Sequence, residues 1–62
     1  MTIEEAEEVT MPFGKHKGER LDDVPLSYIN WLRDIDLHGR LAEAVAVYVA
    51  QDWFESELAQ EA

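Results

Sequence analysis

The run Gly14-Lys15-His16-Lys17-Gly18, closed two residues later by Arg20, is the part of the chain whose residue types could do chemistry. Two lysines spaced two apart point the same way on an extended backbone, with His16 opposite. Glycines at both ends expose backbone N–H groups, and successive N–H groups with nearby ammonium ions form a cradle for a phosphate. The run is not a nucleotide-binding P-loop. That motif needs G-x-x-x-x-G-K-[ST] ahead of a helix, whereas Gly18 is followed by Glu19-Arg20-Leu21. Three roles stay open: a plain turn whose lysines remain in water while Phe13 anchors it to Tyr28 or Trp31, contact with nucleic-acid phosphates, or contact with an acidic protein surface. The plain turn asks least of the residues.

Tyr28 and Trp31 stand downstream of this run. Unpaired bases stack on such rings beside a basic loop, at about 1–3 kcal/mol per base. Core packing is the stronger expectation, because the chain has two Trp, two Tyr and two Phe in all. Losing a large ring from a small core costs about 3–5 kcal/mol. His16 and His38 lack a third ligand at metal-binding spacing, so no metal or other cofactor is expected. Neither Ser27 nor Ser56 falls in a nucleophile–base arrangement. The expectation is therefore a protein with no catalytic residues and no small-molecule substrate.

Fourteen acidic against five basic side chains give a formal charge of −9 over 62 residues. Averaged over the molecule, that charge opposes a phosphate backbone. Its distribution is uneven, however: Lys15, Lys17 and Arg20 are three of the five cations, and the acids lie mostly toward the two ends. Cysteine is absent, which fits a reducing cytoplasm and leaves packing or oligomerisation to support a core of this size. No stretch approaches a membrane span, and Glu4, Glu5, Glu7 and Glu8 are the opposite of a signal-peptide start. A cytoplasmic protein is expected.

The elements that must position these residues follow from spacing. Residues 1–8 read as an acidic N-terminal tail, too poor in apolar content to order itself, and residues 9–62 as one domain. Val9, Met11 and Phe13 alternate with Thr10 and Pro12, which predicts an edge strand. Gly14 and Gly18 supply a hairpin loop, and Glu19 to Leu21 a return strand. Tyr28, Leu32 and Ile35 share one face of a short helix over 26–34, with Pro25 in its first turn. Asp36 or His38 is available to cap a second helix from about Arg40 to Leu58. The predicted fold class is α+β: a small β-hairpin, a short helix and a longer C-terminal helix.

That long helix presents a difficulty. Leu41, Val45, Tyr48 and Val49 form one stripe, while Val47, Phe54 and Leu58 lie nearly opposite with Trp53 between. So small a chain has no further element to cover the second stripe, which predicts docking to a protein partner or a homodimer through Val47, Trp53, Phe54 and Leu58. The alternative is that the last turns fray and Trp53 or Phe54 folds back on the same core.

The segment Met11-Pro12-Phe13-Gly14-Lys15-His16-Lys17-Gly18, followed by Leu21, Pro25, Tyr28, Trp31 and Leu32, resembles the putative quorum-sensing-regulated virulence factor family. A similar module looks like the one at the C-terminal end of exonuclease-X-type 3′–5′ exonucleases. The resemblance implies a module used beside nucleic acid or a nucleic-acid enzyme, without the nuclease itself. Two functions follow as expectations. The first is a non-catalytic protein-interaction module docking through its C-terminal helix. The alternative is a weak nucleic-acid-binding accessory using Gly14, Lys15, His16, Lys17, Gly18 and Arg20 with Tyr28 and Trp31.

Overall fold

The computed structural model describes residues 1–61. Thr2 accepts the Glu5 backbone N–H at 3.2 Å, and the Glu5 carboxylate accepts the Thr2 N–H at 2.9 Å. This reciprocal capping box starts helix α1, Ile3–Glu8, where an unstructured tail was expected. Ala6 is fully buried, and Met1 and Ile3 pack on the same core. The acidic composition of the segment reflects its outer face alone.

The expected β-hairpin is absent, and the α+β assignment with it. The described residues form four α-helices and one 3-10 turn, without a named strand. Where strands were expected, Thr10 and Arg20 make one isolated antiparallel bridge. Around it Met11 N–H donates to Glu19, Gly18 N–H to Met11, and Leu21 N–H to Val9, each at 2.8 Å. Pro12 has no N–H to continue the ladder, and Leu21–Asp23 turn away as the 3-10 helix. Val9 and Met11 are buried whereas Phe13 is exposed, so the alternation stops after two inward residues.

Helix α2 covers Leu26–Leu32 and α3 covers Gly39–Val49. On α3, Leu41, Val45 and Tyr48 of the first stripe are buried together with Ala44, Val49 is partly buried, and the helix packs against α1, α2 and residues 54–60. The helix then stops. Phe54–Gln60 form a separate helix, α4, after a tight turn through residues 50–53. No Pro or Gly marks the break. Instead the backbone tightens: Gln51 N–H donates to Tyr48 and Phe54 N–H to Gln51, while the Gln51 amide donates to the Val47 carbonyl at 2.9 Å. The reason is energetic, because a straight helix would leave Phe54 on the wrong side, whereas the bend buries it completely beside Tyr48. Full burial of such a ring is worth about 1.5–3 kcal/mol, more than a few weakened helical bonds cost.

Glu61 locks the bend. Pro25, at the α2 N-cap, makes no side-chain cap, and the Glu61 carboxylate, from the far end of α4, takes the Leu26 and Ser27 N–H groups at 2.6 and 2.8 Å. Those bonds, the Ser27 one foremost, hold its pKa below the ordinary glutamate value. A depressed carboxylate stabilises the fold above its unfolded pKa and loses that contribution as pH falls through the folded one. Glu61→Ala should cost about 1 kcal/mol at neutral pH, as loss of a helix cap does. Thermal melts should show a gap of about 4–8 °C between the two proteins, closing as the buffer is acidified through the lowered pKa of Glu61. A gap that persists in acid would show that the side chain acts by packing alone.

Candidate loop and aromatic face

Gly14 and Gly18 adopt φ of 80° and 87°, values at which a side chain is strained. Between them the chain makes a compact turn, with Lys17 N–H donating to the Gly14 carbonyl and Glu19 N–H to the His16 carbonyl. Gly14 lies against α2: a Cβ there would sit 2.7 Å from the Tyr28 hydroxyl. Glycine is therefore required both for the angle and for the approach.

His16 faces inward rather than outward, its side chain 15% exposed. Its ring meets Tyr28 edge-on at 4.6 Å, and Tyr28 meets Trp31 at 5.4 Å with the planes tilted 46°. Three rings thus run in a row from the loop along α2. Nδ1 of His16 lies 3.2 Å from the Glu19 carboxylate. With the proton on Nδ1, Nε2 is left buried with no hydrogen-bond partner among the described residues. The ring's packing fixes the loop to the helix.

The cations differ from one another. Arg20 is held by Asp22 at 3.1 Å. Lys15 and Lys17 are exposed and form no ion pair among the described residues. Phe13, 41% exposed, and Trp31, 50% exposed, are the two large apolar side chains that stand out into solvent among the described residues. Core packing was the expectation for both Tyr28 and Trp31. Tyr28 is half-buried as a spacer, whereas Trp31 is displaced outward because Ile29 and Leu32 take the inward face of α2. Ile29 was missed: the i, i+4, i+7 reading through Tyr28 found buried Leu32 but centred the inward face on Tyr28, one residue before Ile29.

The second predicted surface is largely spent inside the subunit. Phe54 is fully buried, and Val47, Trp53 and Leu58 pack partly buried on the core. The rings of Tyr48 and Trp53 meet at 5.4 Å and 86°. Arg33 closes the outside, its guanidinium 5.8 Å from the Phe54 ring centre and 3.5 Å from Glu55. The helix break is what removes this face, since it brings both stripes to one core. His38 precedes α3 without making a side-chain cap and sits 3.6 Å from Asp36. Among the described residues no three histidine or carboxylate side chains converge as a metal site would need, and no helix is long and apolar enough to cross a membrane.

The family model for the putative quorum-sensing-regulated virulence factor matches residues 1–53. This corrects one half of the resemblance, for the match is to that family and not to an exonuclease-associated domain. No curated protein and no solved structure matches. The matched span contains the loop, α1, α2 and α3, and stops one residue short of Phe54.

Proposed function

Since the chain belongs to the putative quorum-sensing-regulated virulence factor family, with the loop and α2 both inside the matched span, we propose that it is a non-catalytic interaction module, working in the cytoplasm, that docks a protein partner. Its docking face is the loop with α2, not the C-terminal helix. One observation carries this reading: Phe13 and Trp31 project from a scaffold whose other large apolar side chains are covered. Exposed aromatic rings are the anchors that protein interfaces favour. A rigid base lies beneath them, because Gly14, His16 and Tyr28 pin the loop to α2, so little ordering entropy is lost on binding.

A second reading keeps the same face for single-stranded nucleic acid, with bases stacked on Trp31 and phosphates at Lys15 and Lys17. An exposed Trp31 and two lysines without ion-pair partners favour it; the net charge of −9 opposes it.

A photo-crosslinking residue at position 13, introduced in the native host, tests the docking reading. The expected result is a saturable adduct with a discrete protein, competed by added unlabelled protein and missing when the crosslinker sits at Glu43 on exposed α3. Adducts with nucleic acid alone, or an unsaturable smear equal at both positions, would defeat it.

A further inference from the structure

Part of the loop's backbone hydrogen-bonding capacity is not met within the chain. Its closing amides, Lys17, Gly18 and Glu19, all donate to backbone carbonyls. Those of Gly14, Lys15 and His16 donate to no protein acceptor among the described residues. Three successive free N–H groups begin at a glycine with φ of 80°, the kind of turn in which backbone presents donors to an anion. Lys15 and Lys17 flank the same turn without partners of their own. Phe13 directly precedes the turn in the chain, and Trp31 connects to it through the Gly14–Tyr28 contact and the Tyr28–Trp31 pair. Free donors and cations therefore share one turn, with two exposed rings connected to it.

We propose that this turn is a carboxylate-binding subsite: the free amides of Gly14, Lys15 and His16 and the ammonium groups of Lys15 and Lys17 take an aspartate or glutamate from an extended acidic segment of the partner protein, whose neighbouring apolar side chain rests on Trp31 and Phe13. The inference rests on the docking reading above and names the chemistry of its partner. Charge separates it from a phosphodiester ligand. His16 and Arg20 are already held by Glu19 and Asp22, which leaves two cations available with two carboxylates close behind them. A nucleic-acid strand brings one charge per nucleotide into that neighbourhood and onto a molecule of net charge −9. One peptide carboxylate brings a single charge, placed where the donors are, within a screening length of about 8–10 Å. Hydrogen bonds to a carboxylate are also among the stronger kinds a backbone amide can make.

The test is an NMR titration of the isotope-labelled full chain with three probes: a blocked peptide of alternating aspartate and leucine, its asparagine counterpart, and a short oligothymidine. With the aspartate peptide the amides of residues 14–16 and the Trp31 indole N–H should shift together. The asparagine peptide should bind at least about tenfold more weakly, as should the aspartate peptide to Lys15→Ala/Lys17→Ala. Equal affinity for both peptides would overturn the carboxylate subsite while leaving docking on the aromatic face intact. Tighter binding of oligothymidine would overturn it in favour of a phosphate ligand. A Trp31 signal unmoved by any probe would remove the docking reading together with the subsite. Both lysines are exposed, so an unchanged amide spectrum of the free variant confirms that its fold is kept.

Discussion

Phe54→Ala is expected to leave the chain largely unfolded. Phe54 is the largest fully buried side chain, and it touches Tyr48, Trp53 and the Arg33 guanidinium. Truncating such a ring costs about 3–5 kcal/mol. A single core in a chain this small supplies roughly 3–5 kcal/mol in all, so nothing remains to set against the chain's entropy. Circular dichroism should show lost helix and no cooperative melt. Phe54→Leu keeps most of the volume and should still melt cooperatively at a lower midpoint. If Phe54→Ala instead melts within a few degrees of the parent, α4 is dispensable, the second stripe is not needed by the subunit, and the C-terminal surface returns as a docking candidate.

The same residue shows what the sequence could and could not reveal. Periodicity found the apolar residues of the C-terminal segment, but it arranged them on one continuous helix from Arg40 to Leu58, where the chain forms two helices joined by a turn. It could not decide between a second molecule and a bend. The bend has no local signature: residues 50–53 contain neither Gly nor Pro, and the turn exists because the core beyond it accepts Phe54. The Glu61 cap is hidden for a similar reason, since it joins residues 34 and 35 positions apart. Local patterns carry no information about such a bond.

Helix α1 is a different case. Thr2-Ile3-Glu4-Glu5 is a legible capping-box spacing, but four glutamates in eight residues outweighed it as a sign of disorder. Ala6 contributes little to hydrophobicity, yet its small size lets α1 lie close to α3. The loop was legible for the opposite reason. Its glycines and its cations are local facts, and the structure then brings Gly14 and His16 against Tyr28, with Trp31 beyond it. What spacing could not give was orientation: Phe13 was expected to anchor the turn and instead projects from it, while Met11, 1% exposed, is the anchor.

Trp31→Ala should separate binding from folding. Two residues earlier on the same helix, Ile29 is fully buried, and Ile29→Ala should cost about 2–5 kcal/mol as a cavity in the core. Trp31, half exposed, contributes one ring face against Tyr28, so its removal should lower stability by roughly 0.5–1.5 kcal/mol, the worth of an aromatic pair. The protein should therefore stay folded, with a melt lowered by several degrees. Its affinity for the partner captured from position 13 should nevertheless fall at least about tenfold, and as much as a hundredfold if the ring is an anchor of the interface. Trp31→Phe should recover part of the loss, since a flat apolar face remains. Lys15→Ala should lose less and do so in a salt-dependent way, because an exposed charge contributes chiefly through screened attraction. Wild-type affinity in a folded Trp31→Ala protein would mean that the exposed ring is incidental. The docking face would then have no apolar centre, and a polar turn with two lysines is too little surface for a stable protein interface.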